Sequence, residues 1–246
     1  MAGLSERATA GGAGIPAPAV PIVALDFPTA REAVALADRL GALCRFYKVG
    51  GELFTAEGPS VVRALGARGC DVFLDLKFHD IPSTVRGSAR SAAALGARLL
   101  TVHGSGGGVM IEAAVEGAGD GCGVLAVTVL TSFDGRALAT AWGRPTVSVE
   151  EEVLRLSDEA RRAGAHGVVC SGQEVGAVHA RHGALRLLVP GLRLGDDGPH
   201  DQARVTTPAA AARAGASYLV LGRAVSAAAD PCVAMSSVLR SLAPAG

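Results

Sequence analysis

The chain has 246 residues, of which 49% are hydrophobic, and its 23 basic and 23 acidic residues give a formal net charge of zero. A balanced charge creates no overall field that would attract nucleic acid or a membrane surface, so neither is an expected partner. The five cysteines include no C-x-x-C pair, which argues against a disulfide framework or a zinc cluster and favours the reducing cytoplasm. Residues 1–19 are rich in Gly, Ala and Pro and are interpreted as a flexible N-terminal tail.

From residue 20 onward, short runs of Val, Leu and Ile alternate with longer amphipathic stretches. The predicted strands cover residues 22–25, 46–49, 72–76, 99–102, 124–130, 167–170, 187–189 and 218–221. The predicted helices cover residues 29–40, 59–67, 82–95, 108–116, 148–163, 173–182, 208–214 and 231–242. Ser148, followed three residues later by Glu151, has the pattern of a capping box at the start of the fifth helix.

Eight strand-then-helix units without a gap predict an α/β protein with a parallel sheet. Eight such units favour closure into a single (β/α)₈ TIM barrel over residues 20–246, since barrels of this kind commonly take about 250 residues. An open doubly wound sheet is the alternative. No G-x-G-x-x-G follows the first strand, which argues against a dinucleotide-binding version of that fold.

Polar residues stand at or just beyond the end of every predicted strand. In a barrel, the carboxyl ends of the strands meet at one mouth, where the chemistry takes place. The residues concerned are Asp26, Lys48, Asp75, Lys77, His103, Thr131, Ser171, Arg193 and Arg223. Polar residues commonly follow strands because loops are solvated, so this alignment is suggestive without naming a reaction.

The lysine count is the sharpest feature of the composition, because only Lys48 and Lys77 are Lys among the 23 basic residues. Both fall at predicted strand ends. Lys can release a proton when its environment is tuned, whereas Arg cannot, so these sites fit a proton donor. Asp75 and Lys77 are two residues apart on an extended segment and are expected to share a face. Asp80, five residues beyond Asp75, is expected to point elsewhere.

Residues 75–84, Asp-Leu-Lys-Phe-His-Asp-Ile-Pro-Ser-Thr, resemble the signature of the orotidine 5'-phosphate decarboxylase family. Segments 24–27, 47–50, 128–132, 189–193 and 222–223 resemble the same family in the same order. The D-x-K-x-x-D pattern alone is shared with sugar-phosphate decarboxylases and aldolases. The Ile-Pro-x-Thr that follows it and the preserved order of the other segments are specific.

The resemblance implies decarboxylation of orotidine 5'-phosphate to UMP and carbon dioxide, without organic cofactor or metal, in a homodimer with shared active sites. Lys77 would protonate C6, while Asp75 would lie against the substrate carboxylate and hold Lys77. Lys48 and the partner subunit's Asp80 would complete an alternating array of charges. The substrate-binding residues implied are Asp26, Lys48, the partner's Thr84, Thr131, Arg193, Gln202, Gly222 and Arg223. Of these, Gly222 and Arg223 would bind the phosphate, and a loop over residues 191–204 would close over the ligand.

Two other functions are open to the same residues. A magnesium-dependent enzyme acting on a sugar phosphate would also use D-x-K-x-x-D, but it needs further carboxylates at neighbouring strand ends, where Lys48 and His103 stand instead. A catalytically silent, nucleotide-binding barrel would not need the full Lys and Asp set. Residues 104–108 form a Gly-rich turn before a helix, which could hold an anion but is interpreted as a tight turn.

Overall fold

The computed structural model describes residues 18–194 and 206–243. Eight parallel strands form a closed barrel in chain order, and the last strand pairs with the first through Val20–Val23 and Tyr218–Leu221. The predicted (β/α)₈ barrel is therefore confirmed, and the open-sheet alternative is wrong. The strands are β1 (Val20–Ala24), β2 (Phe46–Gly50), β3 (Asp71–Phe78), β4 (Ala97–His103), β5 (Gly123–Val127), β6 (Gly167–Val169), β7 (Arg186–Val189) and β8 (Tyr218–Leu221).

The helices pack around this barrel. They are α1 (Ala30–Leu40), α2 (Gly51–Glu57), α3 (Pro59–Gly66), α4 (Pro82–Ala94), α5 (Gly108–Ala118), α6 (Gly135–Ala141), α7 (Val149–Arg162), α8 (Val175–Arg181), α9 (Pro208–Arg213), α10 (Arg223–Ser226) and α11 (Pro231–Leu242). The short helices α2, α6 and α10 were not predicted. Within the described ranges, no helix has the length and apolarity needed to cross a membrane.

Several predicted boundaries are corrected. β3 continues to Phe78, two residues beyond the prediction, whereas β5 ends at Val127 rather than at residue 130. One of the two hydrogen bonds of the predicted capping box of α7 is present, since the Ser148 hydroxyl accepts a hydrogen bond from the Glu151 N–H at 3.3 Å. The expected tail falls almost wholly on residues 1–17, outside the described part, and so do Gln202 and most of the 191–204 loop.

Successive side chains along each strand point to opposite faces of the sheet, and this produces two separate apolar cores. One buried cluster fills the barrel, and the other lies between the strands and the helices. The barrel cluster consists of Ile22, Ala24, Phe46, Phe73, Leu99, Leu125, Leu188 and Val220. Side chains alternate between the two faces of a strand, so residues two positions further along also point inward. In this way Ala24, Phe46 and Phe73 are followed by Asp26, Lys48 and Asp75 at the carboxyl ends of their strands.

Candidate active site

A cavity of about 770 Å³ opens at the carboxyl ends of the strands. Its apolar floor includes Phe73, Val169 and Val220, members or neighbours of the barrel core. Eight of the predicted site residues line it: Asp26, Lys48, Asp75, Lys77, Thr131, Arg193, Gly222 and Arg223. The structure thus brings together side chains from six strands and the loops that follow them, at the mouth where barrel enzymes carry out their chemistry.

Four charged side chains form a continuous chain along one side of this cavity. The Lys48 ammonium lies 2.7 Å from Asp26 Oδ1 and 3.9 Å from Asp75 Oδ2. The Lys77 ammonium lies 2.9 Å from each oxygen of Asp75. The side chains of Lys48 and Asp75 are only 11% and 12% exposed, whereas that of Lys77 is 37% exposed. Asp75 is therefore a nearly buried carboxylate held between two ammonium groups, one of which reaches into the open cavity.

Lys77 has an unusual backbone. Its φ is +50°, and it is the only non-glycine residue in the described ranges with a positive φ. Such a conformation costs a residue with a Cβ about 1–2 kcal/mol. It accompanies an irregularity in the sheet, where Leu74 pairs with Leu100 but Phe78 pairs with Val102, so β3 gains two residues relative to β4. Strain of this kind, held by the surrounding structure, is typical of functional sites.

Thr101 on β4 holds this irregular segment and was not predicted as a site residue. Its hydroxyl accepts a hydrogen bond from the Lys77 N–H at 2.9 Å and donates one to Asp75 Oδ1 at 2.9 Å. Thr101 is 1% exposed. The sequence could have indicated Thr101 through its position. It is a hydroxyl residue in an apolar strand, two residues after the inward-facing Leu99, and should therefore also point inward.

Gly50 is a second residue that the sequence reasoning did not assign to the site. A Cβ at this position would lie 2.9 Å from Lys48 Nζ and 3.1 Å from Asp26 Oδ1. Both distances are shorter than ordinary van der Waals contact, so a larger residue would displace the ammonium or the carboxylate. Glycine at the end of β2 therefore leaves room for the ion pair between Lys48 and Asp26.

Asp80 and Thr84 do not join the cavity of their own chain. Both residues are exposed, and Asp80 Oδ1 accepts a hydrogen bond from the Ile81 N–H at 2.6 Å. Within the described ranges, the Asp80 carboxylate forms no ion pair with Lys48 or Lys77. It lies instead in a separate surface depression with Ile81, whose side chain is 64% exposed. The outward direction expected for Asp80 is therefore observed.

The Gly-rich turn before α5 is filled by the protein itself. The Gly108 N–H donates a hydrogen bond to Glu159 Oε1 at 2.7 Å, so a carboxylate from α7 occupies the start of this helix. That contact favours the interpretation as a tight turn. Nearby, the rings of His79 and His103 lie 5.3 Å apart. Burial, followed by the neighbouring charges of His79 and Lys77, lowers the pKa of His103 and favours its neutral form.

The rim opposite this turn carries two arginines. Arg193 follows β7, and its N–H donates to the Thr206 carbonyl at 3.0 Å, which fastens one end of the loop to the other. Arg223 is the first residue of α10, directly after Gly222 at the end of β8. Loops after the seventh and eighth strands are the usual phosphate site of TIM barrels, and an Arg fork can bind two phosphate oxygens. In the part of the chain that the structure describes, no three His, Cys, Asp or Glu side chains are grouped as metal ligands.

Comparison with known proteins identifies the family. Residues 20–238 match the model of the orotidine 5'-phosphate decarboxylase / HUMPS family. Orotidine 5'-phosphate decarboxylase of Anaeromyxobacter sp. (strain K) is 53% identical over 221 residues, covering 89% of this chain and 96% of that protein. The enzyme of the same name from Halorhodospira halophila is 47% identical over 239 residues, covering 94% and 99%.

A solved structure agrees with these sequence matches. The crystal structure of orotidine 5'-phosphate decarboxylase from Lactobacillus acidophilus superposes with a TM-score of 0.81 and 35% identity, covering 92% of this chain and 99% of the other. The family match over residues 20–238 includes all eight strands of the barrel, from Val20 to Leu221. On these grounds, the chain belongs to the orotidine 5'-phosphate decarboxylase / HUMPS family.

Proposed function

We propose that the cavity at the mouth of this barrel converts orotidine 5'-phosphate to UMP and carbon dioxide, with Lys77 as the proton donor. The family and the relatives that match this chain are named for the decarboxylation of orotidine 5'-phosphate, which supports this activity. One observation carries the assignment of roles. An ammonium that reaches into the cavity is held by both oxygens of a nearly buried carboxylate, Asp75. A proton donor is thereby fixed next to a negative charge that can face the substrate carboxylate.

The proposed reaction breaks the bond between C6 and the carboxylate and leaves its electron pair on C6. No carbonyl adjacent to C6 can delocalise that pair, so the fixed ammonium of Lys77 stabilises the developing charge. Lys77 then transfers one proton to C6, which yields UMP and a neutral amine that solvent reprotonates. Asp75 supports loss of carbon dioxide through repulsion of the substrate carboxylate, and Asp26 and Lys48 bind the ribose hydroxyls. Thr131, at the rim, contacts the pyrimidine.

The phosphate is assigned to the far side of the cavity. Gly222 allows the backbone to approach the phosphate closely, and Arg223 supplies a cation at the end of β8. Phosphate binding occurs away from the reacting carbon, so its free energy can be used to close the loop that bears Arg193 and Gln202. This division of roles predicts that Arg193 and Arg223 at the rim of the cavity control kcat/KM on the nucleotide, and that Lys77 controls the rate of the chemical step.

The main test is a direct assay with orotidine 5'-phosphate, in which the loss of the substrate's absorbance and the release of carbon dioxide are followed together. We expect equimolar UMP and carbon dioxide from the wild-type chain and none above background from Lys77→Ala. A sugar phosphate converted only in the presence of magnesium, with no turnover of orotidine 5'-phosphate, would contradict the proposal and favour the alternative of a magnesium-dependent enzyme acting on a sugar phosphate.

We further propose that each active site is completed by the partner subunit's Asp80 and the partner's Thr84. The supporting observation is that Asp80 and Thr84 are exposed outside the cavity of their own barrel, beside the exposed Ile81. An exposed carboxylate next to an exposed apolar side chain fits a two-fold contact, in which each subunit would extend Asp80 towards Lys77 of the other.

Complementation tests this shared site. Lys77→Ala and Asp80→Asn proteins, each nearly inactive, are mixed under conditions that exchange subunits. In a mixed dimer, one site receives an intact Lys77 from one chain and an intact Asp80 from the other, while the second site carries both lesions. Random exchange gives mixed dimers in about half of the population, so roughly a quarter of all sites should recover. Unchanged activity after verified exchange would place Asp80 within its own barrel.

A further inference from the structure

The Thr101 hydroxyl joins the backbone of the proposed proton donor to the carboxylate that holds it. Four atoms form a closed ring of contacts: Lys77 N, Thr101 Oγ1, Asp75 Oδ1 and Lys77 Nζ, with each of the three hydrogen bonds at 2.9 Å. The hydroxyl accepts the Lys77 N–H, so its own hydrogen is directed at Asp75. The hydroxyl is shielded from solvent, because Thr101 is 1% exposed.

Because the pairing of β3 with β4 is irregular, the Thr101 hydroxyl binds a backbone N–H that a carbonyl of the neighbouring strand would otherwise bind. Residues 75–77 fall between the last regular pair of β3 with β4, Leu74 with Leu100, and the resumed pair, Phe78 with Val102. The Lys77 N–H in this interval is bound by a side chain of β4. A buried N–H without a partner would cost about 1–3 kcal/mol, so Thr101 stabilises the bulge that allows φ of +50° at Lys77.

We propose that Thr101 is a positioning residue for decarboxylation, which sets the directions of Lys77 and Asp75 together; this inference rests on the proposed function. Only a group that both accepts and donates can satisfy the Lys77 N–H and Asp75 Oδ1 at once. Serine retains both capacities. Valine has nearly the same shape and neither capacity, so it tests the hydrogen bonds rather than the volume.

Loss of the hydroxyl should affect the chemical step more than binding. Without it, the Lys77 backbone can relax from its strained conformation and the Asp75 carboxylate can rotate, which displaces the ammonium from C6. A displacement of about 1 Å in a reacting group costs on the order of 100-fold in rate. The Thr101 hydroxyl is bound to Lys77 and Asp75, which are assigned to the chemical step rather than to the ribose or the phosphate, so KM should change little.

The experiment compares Thr101→Val, Thr101→Ser and a matched control, Thr128→Val. Thr128 directly follows β5, the strand that pairs with β4 on the side away from β3. It is also buried, and its hydroxyl donates a hydrogen bond to the Val169 carbonyl at 2.8 Å. We expect kcat of Thr101→Val to fall about 100-fold with KM within about threefold of wild type, and Thr101→Ser to recover most of kcat. Thr128→Val should lose thermal stability to a similar extent and keep its kcat.

Three results would overturn the proposal for Thr101: unchanged kcat in folded Thr101→Val, a Ser variant as impaired as the Val variant, or an equal loss of kcat in Thr128→Val. If Thr101→Val does not fold, Thr101→Cys replaces it, since a thiol is a weaker donor and acceptor, and an intermediate kcat is expected. A wild-type chain that does not turn over orotidine 5'-phosphate contradicts the proposed function itself. An active wild type with an equally active Thr101→Val contradicts only the role of Thr101.

Discussion

Replacement of Lys77 by Arg separates the positive charge at this position from its transferable proton. In the structure, the Lys77 ammonium lies 2.9 Å from both oxygens of Asp75. A guanidinium in its place can bind the same two oxygens through a bidentate fork, and it does not release a proton in proteins. We therefore expect Lys77→Arg to keep its charge on Asp75 and to lose proton delivery to C6.

The magnitude follows from two effects. Positioned proton transfer contributes about 10²–10⁴-fold to a rate. A unit charge about 4 Å from the developing carbanion contributes about 4 kcal/mol at an effective dielectric constant of about 20. Because the Lys77 side chain is 37% exposed, solvent screening reduces this to roughly half, about 2 kcal/mol or 30-fold. The Arg variant should therefore fall about 10²–10⁴-fold below wild type and retain at most about 30-fold over Lys77→Ala.

The assay is steady-state decarboxylation of orotidine 5'-phosphate by wild type, Lys77→Arg and Lys77→Ala. Thermal unfolding and the affinity for UMP serve as controls, since neither depends on proton transfer. Both controls should stay close to wild type in folded variants. A kcat above about a hundredth of wild type in Lys77→Arg would refute the role of Lys77 as proton donor, because the lower bound of general acid catalysis is about 100-fold.

Four further predictions concern the rim of the cavity, the strained backbone of Lys77, the histidine that directly precedes β6, and metal. Arg223→Ala should lose about 10- to 100-fold in kcat/KM on the nucleotide and little on the phosphate-free nucleoside, and equal losses on both would indicate a role in folding. Lys77→Gly should unfold about 2–4 °C above Lys77→Ala, because glycine avoids the cost of about 1–2 kcal/mol for a φ of +50°, and its own conformational entropy offsets only about 0.5–1 kcal/mol of this gain; a melting temperature below that of Lys77→Ala would show that the position is not strained. Burial, with the charges of Arg186 and Arg98, lowers the pKa of His166 to about 4 in the folded state, whereas the unfolded chain titrates near the ordinary value of about 6.5. The free energy of folding gained from the neutral ring is therefore complete above pH ~6.5 and is lost as the pH falls towards 4. Urea unfolding should show a loss of about 3 kcal/mol over that interval, which His166→Gln should largely abolish. Turnover should survive excess EDTA, because the ends of β2 and β4 carry Lys48 and His103 rather than carboxylates; loss restored by magnesium would contradict this.

The barrel and most of its mouth could be predicted from the sequence because both follow from local rules. Alternation with a period of two residues places Lys48 two residues after the buried Phe46 and Asp75 two residues after Phe73. Closure of a parallel barrel then brings all the strand ends to one mouth. The short helices α2, α6 and α10 could not be predicted in this way, because four to seven residues carry too little periodicity, and short helices depend on tertiary packing.

The sequence by itself determined which charged residues meet at the mouth, and the tertiary structure decided how they are held. Thr101 lies 26 residues from Asp75, and its contact with the Asp75–Lys77 segment depends on the shifted pairing of β3 with β4. The left-handed backbone of Lys77 depends on the same pairing. Hydrogen bonds between strands link residues far apart in the chain, so a local pattern contains no signal for their register. The strain at Lys77 is maintained because a buried hydroxyl from the neighbouring strand satisfies the backbone group that the bulge exposes.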